Sequence, residues 1–176
     1  MTLNELLHSR RSQRKFTAEL PPRVVVETLL KEAFTAPSSK STRSTRYIVV
    51  NRPELMEKMS QMRDHGASFL RNTPIGIIVL GDTEASDLWD INAIISTTIL
   101  QLAAEELGLG SCWVQVKDRP RVAADPSAGT AEEWLRSFID IPATWRPLCV
   151  VALGYPEAPM KPHSPADDSD KVIYID

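Results

Sequence analysis

The feature that most constrains this chain is one long helix that is apolar on nearly every side. The pattern predicts a helix over residues 88–107 that stops at Gly108, and its middle part, 91–104, carries apolar or small side chains almost throughout. A helix of this kind is buried on most of its sides. We therefore expect it in the core of a homodimer, with a central helix inside a monomer as the alternative.

The size and charge of the chain narrow its class. It has 176 residues and a net charge of -3, which predict a single domain, 1–176, without the basic surface that nucleic acid requires. No segment reaches the roughly 20 apolar residues of a membrane span, and the N-terminus lacks a secretory signal. We expect no nucleic-acid or membrane partner and a cytoplasmic location.

The two cysteines, Cys112 and Cys149, each lie within an apolar, strand-like run. Buried free thiols are expected at such positions rather than a disulfide. The three histidines are far apart, and no Cys/His spacing is typical of zinc, so no metal site is expected.

Strand and helix patterns alternate along the chain and predict helices packed around a central sheet. Thr2 and Glu5 have the spacing of a capping box for a first helix. Further helices are predicted from Pro21-Pro22 to Pro37, over 53–62, over 88–107 and over 132–138, and strands over 47–50, 75–80, 112–116 and 149–154.

The end of the chain follows a different pattern. A proline-rich stretch, 156–165, is too extended to fold on itself, yet residues 172–175 again have the β-branched and aromatic content of a strand. A strand reached through an extended arm often pairs with another subunit's sheet or with a distant edge.

Four short segments could carry chemistry, and each also has an ordinary explanation. The first contains Arg10, Arg11 and Arg14, whose guanidinium groups could bind phosphate or could simply lie in solvent at a helix end. The others are the hydroxyl-rich loop 36–40, the glycine-rich entry to a strand over 108–115, and the tail that contains Lys161 and His163.

The order of these segments is more specific than any one of them. The chain reads RRSQRKF at 10–16, APSSK at 36–40, LGLGSCW at 107–113 and ALGYP at 152–156. In this order it resembles the FMN-dependent nitroreductase family, particularly its short members, over essentially its whole length. The resemblance implies an α+β fold: a three-layer α-β-α sandwich with a central mixed sheet. It also implies an intertwined homodimer with two interfacial flavins, in which residues 155–176 form an exchanged C-terminal arm.

The resemblance assigns roles to the basic segment. Arg10 and Ser12 would hold the FMN phosphate and ribityl chain, with Arg11 beside them. Arg14 would lie at the pyrimidine end of the ring, where a cation stabilises the negative charge of reduced flavin. Lys161, and with it His163, would complete the phosphate pocket.

The same resemblance implies contributions from two further segments. The partner subunit would supply four residues, Pro37, Ser38, Ser39 and Lys40. One face of the ring would be covered by the strand residues Trp113, Val114, Gln115 and Val116. A backbone N–H of Gln115 or Val116 would face the ring nitrogen that accepts hydride, and no side chain would act as a catalytic acid or base.

One stretch departs from the family pattern. After APSSK the family usually has Asn and then Gln-Pro-Trp, whereas this chain has Ser41 and lacks the Pro and Trp over 42–46. The change places Arg43 near the predicted opening of the site. There it would favour an anionic substrate or the phosphate of a nicotinamide cofactor; a solvated arginine is the alternative.

The implied activity is hydride transfer from NADH or NADPH, through FMN, to a small-molecule acceptor such as a nitroaromatic or a quinone, by a ping-pong mechanism. Related flavin chemistry is one alternative: dehalogenation, dehydrogenation or flavin processing. A flavin-binding redox module without turnover is another, and a plain phosphate-binding scaffold is a third.

Overall fold

The computed structural model describes residues 1–164 and 166–175. Its helices are α1 (Leu3–Ser9), α2 (Arg23–Ala33), α3 (Pro53–Ser60), α4 (Trp89–Glu106) and α5 (Ala131–Arg136). Its strands are β1 (Thr45–Val50), β2 (Ile75–Asp82), β3 (Gly110–Gln115) and β4 (Trp145–Gly154). Short 3-10 turns cover Ser39–Ser41, Ser68–Asn72, Pro126–Ala128 and Ser169–Lys171.

The four strands form one sheet in the order β1-β2-β4-β3. The two central strands, β2 and β4, are buried along nearly their whole length, which agrees with their unbroken apolar runs. All strand pairs are antiparallel, and parallel pairing is limited to a single bridge between Ser12 and Ser111. The predicted mixed sheet is therefore wrong for the described residues.

Helices cover both faces of the sheet, so the α+β class and the three layers are confirmed. On one face α2 and α4 pack against side chains of β2 and β4, including Ile77 and Val151. On the other face α3, α5 and the turn Ser68–Asn72 enclose a second cluster that includes Ile78 and Val150. Alternate residues of a strand point to opposite faces, so one sheet serves two cores.

The long helix forms at nearly the predicted residues and lies between α2 and the sheet. Its fully buried face includes Ala93, Thr97 and Leu100. A stripe of apolar residues on α4 is nevertheless open to solvent: Leu88, Ile91 and Ile94 are 39%, 49% and 44% exposed. None of the helices in the described part of the chain combines the length and apolar character that a membrane span requires.

Two of the local sequence predictions, a capping box and two free buried cysteines, are confirmed by the structure. Thr2 and Glu5 form the reciprocal capping box of α1. Cys112 and Cys149 are free and buried, as expected. The second helix, in contrast, ends at Ala33 instead of continuing to Pro37, because a proline disfavours helical geometry in the residue before it and the chain turns at 34–36.

The predicted C-terminal strand is not present within this chain. Residues 172–175 follow the turn Ser169–Lys171 without pairing, and Ile173 to Ile175 are more than 80% exposed. A strand needs a partner for its backbone hydrogen bonds, and none of the chain's own strands lies beside this segment. Pro165 and Asp176, which the predicted arm also includes, lie outside the described residues.

Packing of α4 against the sheet predicts the effect of truncating its core. Leu100 is fully buried, so Leu100→Ala should lower the free energy of unfolding by about 2–5 kcal/mol. The control is Val24→Ala on the exposed face of α2, which should cost less than about 0.5 kcal/mol. Urea unfolding followed by circular dichroism gives both values, and equal losses would contradict the assigned core.

Candidate active site

The basic segment that follows α1 is docked on the beginning of β3. Ser12 forms a parallel bridge with Ser111, and the Gln13 amide donates to the Ser111 carbonyl over 2.9 Å. The Gln13 side chain is buried and donates to the carbonyls of Lys15, at 2.9 Å, and Ala158, at 3.3 Å. The segment is thus held at a defined place on the sheet.

Two glycines leave room for this docking. Gly110 on β3 faces Gly154 on β4 in the sheet register. A Cβ at Gly110 would lie 2.7 Å from Gln13 Cγ, and one at Gly154 would lie 2.6 Å from Pro74 Cγ and 3.1 Å from the ring of Phe16. A larger residue at Gly110 would therefore push Gln13 and the basic segment off the sheet, whereas one at Gly154 would collide first with Pro74 and then with Phe16.

The tail returns to the same place. The Arg11 guanidinium donates to the Lys161 carbonyl over 3.0 Å, and the His163 amide donates to the His8 carbonyl over 2.9 Å. The structure therefore brings Lys161 and His163 to the basic segment, although about 150 residues separate them in sequence. Both side chains are exposed.

The cations gathered here have no acidic partners. Within the described part of the chain, Arg10, Arg11, Arg14 and Lys161 take part in no salt bridge. The nearest acceptor to Arg14 is the Ser12 carbonyl, 3.4 Å from its Nη1 atom. Several positive charges near one another without carboxylate partners can attract an anionic ligand.

The positive charges of this cluster affect the pKa of Cys112 on the neighbouring strand β3. Burial raises the pKa of the Cys112 thiol, while the positive charge of Arg14, a hydrogen bond with Ser12 and the charge of Arg10 oppose that rise. The thiol consequently stays protonated near neutral pH and is no candidate nucleophile.

Beyond the docked segment, β3 has a free edge. Because Ser111 bonds with Gln13, alternation along an antiparallel strand turns the backbone groups of Trp113 and Gln115 to that same side, away from β4. The Val116 amide instead donates to the Leu148 carbonyl over 3.0 Å. Of the two alternatives, the Val116 N–H is thus used within the sheet, and the Gln115 N–H is the one that faces the free edge.

The side chains of β3 also differ in how accessible they are to a ligand. Val114 is buried in the core, and by the same alternation its backbone groups face β4, so neither its side chain nor its backbone is open to a ligand in this structure. Trp113 and Gln115 are half-buried, and the indole N–H of Trp113 donates to the Gln115 side-chain oxygen over 2.7 Å. That bond restrains both side chains beside the free edge.

Sequence reasoning missed one residue here. Arg63, which follows α3, donates from its Nη1 atom to the Gln115 carbonyl over 3.4 Å. No motif marks it, because only folding brings the end of α3 to the edge of β3.

The second predicted segment lies elsewhere in the chain. Ser39 donates its amide to the side-chain oxygen of Asn92 on α4 over 2.8 Å, and the Asn92 amide group donates to Ser44 Oγ over 2.9 Å. Asn92 is buried, so it holds this hydroxyl-rich loop from within the core. An amide side chain in the largely apolar first half of the helix was the signal that could have identified it.

The backbone of this loop is unusual. Lys40, Ser41 and Arg43 have φ angles of 50°, 55° and 48°, a region that residues other than glycine rarely occupy. Such conformations persist only where surrounding contacts impose them. Here the Arg43 amide donates to Ser38 Oγ over 2.9 Å, and Arg46 donates to the Arg43 carbonyl over 2.8 Å.

The loop and the basic segment lie at opposite ends of α4. Asn92 is in the first turn of the helix, whereas Gly110 follows its last turn. A helix of 18 residues is about 27 Å long. One chain therefore does not bring Pro37, Ser38, Ser39 and Lys40 to Arg10 and Ser12.

Arg43 lies beside a shallow depression of about 420 Å³ that Lys31, Pro37 and Ser38 also line. The Arg43 side chain is exposed and takes part in no salt bridge among the described residues. Its geometry is compatible with contact to an anion, but the basic segment of the same chain is not nearby.

Fold and site together define a class: an α+β protein with one long core helix and a cationic, free strand edge. A model of the nitroreductase family matches residues 7–64 and 60–155. A relative from Methanothermobacter thermautotrophicus, provisionally named NADH dehydrogenase/NAD(P)H nitroreductase, is 30% identical over 162 residues, covering 89% of this chain and 78% of its own. The chain belongs to the nitroreductase family.

Solved structures of proteins named as nitroreductases have the same fold as this chain. An FMN-dependent nitroreductase from Clostridium difficile R20291 superimposes with a TM-score of 0.90 at 34% identity, covering 99% of each chain. A protein from Parabacteroides distasonis, provisionally named NADH dehydrogenase/NAD(P)H nitroreductase, has a TM-score of 0.87 at 26% identity, covering 97% of this chain and 96% of its own.

The Asn92 contacts predict that this residue stabilises the loop at 38–44. Asn92→Ala should lower the free energy of unfolding by about 1–3 kcal/mol, because it leaves buried polar partners unbonded. It should also speed hydrogen exchange at the Ser39 amide. The control is Asn51→Ala at an exposed asparagine, which should change neither value. Unchanged exchange at Ser39 would contradict the assignment.

Proposed function

We propose that this chain is an FMN-dependent oxidoreductase that passes hydride from NADH or NADPH to small acceptors such as nitroaromatics and quinones. The observation that carries the proposal is the cationic free edge of β3, where unpaired guanidinium groups lie beside outward-facing backbone groups. Membership in an oxidoreductase family supports it, as does the likeness to a structure named as an FMN-dependent nitroreductase.

The residues present fit a flat cofactor that carries a phosphate. Arg10, Arg11 and Lys161 are positively charged and can bind a phosphate, and Ser12 can donate a hydroxyl hydrogen bond to it. Trp113 and Gln115 offer their backbone groups at an open edge instead of to another strand. Within this proposal His163 is placed near the phosphate by its bond to His8.

The protein's part in the reaction is binding and electrostatics. Bound FMN supplies the hydride-transfer chemistry. Arg14 stabilises negative charge at the pyrimidine end of the site, and the Gln115 amide offers a hydrogen bond along the strand edge. Donor and acceptor would use the same open surface in turn, so ping-pong kinetics are expected.

The site is proposed to be complete only in a homodimer. The loop containing Pro37, Ser38, Ser39 and Lys40 is held at the far end of α4, so a second copy would have to bring it to the basic segment. The open apolar stripe of Leu88, Ile91 and Ile94 recurs at helical spacing and suits a subunit interface.

The exposed apolar residues 172–175 suit an exchanged arm, because the outer edge of β1 has no neighbouring strand in this sheet. In the dimer Arg43 would lie at the mouth of the site and attract an anionic acceptor or the phosphate of the nicotinamide donor. The cytoplasm remains the expected compartment, and two free buried thiols suit its reducing conditions.

Flavin binding is the first test. The purified protein should keep flavin absorbance through gel filtration and lose it when NADPH or NADH is added without oxygen. Arg10→Ala should weaken FMN binding about tenfold or more, as expected for a lost charge-assisted hydrogen bond. Arg52→Ala, at an exposed arginine paired with Glu54, should leave the affinity unchanged. Protein refolded with excess FMN that shows no flavin absorbance would overturn the proposal.

The dimer is tested at the open stripe of α4. Ile91→Asp should dissociate the protein, because it places a charge in an apolar interface, and FMN affinity should fall with it. Val24→Asp, on the exposed face of α2, should remain dimeric. Analytical ultracentrifugation and FMN titration measure both properties. A monomer that binds FMN as tightly as the unaltered protein would refute the shared site.

A further inference from the structure

A second unpaired cation lies at the free edge of β3. The Arg63 guanidinium donates to the Gln115 carbonyl over 3.4 Å, and its side chain is half-buried. Among the residues that the structure describes, no carboxylate lies within salt-bridge distance of Arg63. Partial burial removes water from this guanidinium, and a neutral carbonyl does not neutralise its charge. An anionic ligand would therefore bind it favourably.

The loop around Arg63 is firmly held. Met62 before it and Ala67 after it are fully buried. The nearest acid in sequence, Asp64, is turned away: its carboxylate accepts from the Ala123 amide over 2.8 Å, and that bond is the main reason its pKa is lowered. The loop thus presents the cation to β3 and keeps the neighbouring anion elsewhere.

Arg63 and Arg14 bracket the free part of the strand edge. Arg14 lies next to Ser12, the residue that bridges to the beginning of β3, and Arg63 lies at Gln115, the last residue of β3. Between them the backbone groups of Trp113 and Gln115 face outward. A ligand along this edge would meet a guanidinium at each end.

We propose that Arg63 is a second cationic residue of the flavin site, held at the Gln115 end, and that its positive charge favours the negatively charged, reduced state of the cofactor. The inference rests on the proposed function. Hydride transfer moves two electrons and one proton from the nicotinamide to the flavin, which adds one negative charge to the bound group. A cation within the site favours that state over the neutral one.

The test separates charge stabilisation from simple binding. FMN affinity is measured in both oxidation states for the dimeric protein and for Arg63→Gln, Arg63→Lys and Arg71→Gln. Arg71 is the matched control, because it lies on the following turn and pairs with Glu57 instead of contacting β3. The midpoint potential of bound flavin is measured independently by equilibration with redox dyes.

Arg63→Gln should weaken binding of reduced FMN about ten times more than binding of oxidised FMN. The midpoint potential should fall by about 30 mV, the equivalent of a tenfold change in a two-electron equilibrium. Arg63→Lys keeps the charge and should largely restore the potential, and Arg71→Gln should match the unaltered protein.

Three outcomes would overturn the inference. One is equal weakening of both oxidation states in Arg63→Gln, which would make Arg63 a general binding residue. Another is flavin retained at an unchanged potential, which would leave the proposed function intact. The third is a potential in Arg63→Lys as low as in Arg63→Gln. An unaltered protein that binds no FMN would overturn the proposed function and this inference with it.

Discussion

Burial of α4 against the central sheet is the constraint on which the rest of the structure depends. The helix fills the space between α2 and the sheet, and its two ends determine where the two predicted segments lie. At the first turn Asn92 holds the loop around Ser39. Past the last turn Gly110 begins β3, where the basic segment docks. One packed helix thus sets the separation of the two segments within the chain.

The Lys and Arg side chains of this chain differ in whether they have carboxylate partners. Several cations elsewhere in the chain are paired with carboxylates, as Arg46 is with Asp82 and Arg136 is with Glu132. Those around the strand edge, Arg14 and Arg63 among them, touch only backbone carbonyls. Self-repulsion in such a group is unfavourable in the free protein, so an anionic ligand should bind there with a gain in stability.

Several predictions could be made because their causes are local. The capping box of α1 and the runs of β2 and β4 depend on residues adjacent in sequence. Predictions that involve backbone pairing depend on more than local sequence. The sheet of the described residues is antiparallel where a mixed one was predicted, and of Gln115 and Val116 only Val116 bonds to Leu148. The strand at 172–175 was predicted to pair outside the chain's own sheet, and it stays a prediction. Which strands pair depends on the packing of the whole sheet, so the pairing partner of a strand cannot be predicted from the strand's own side chains.

The sequence by itself determined the element types, the buried long helix and, through the order of its short motifs, the nitroreductase family. Those properties follow from hydrophobic period, capping chemistry and glycine at close approaches, all readable along the chain. Tertiary structure alone decided that Arg63 reaches Gln115 and that Asn92 holds the loop at Ser39. These contacts join residues about 50 positions apart, and side-chain partners at that distance are chosen by packing, not by any local pattern.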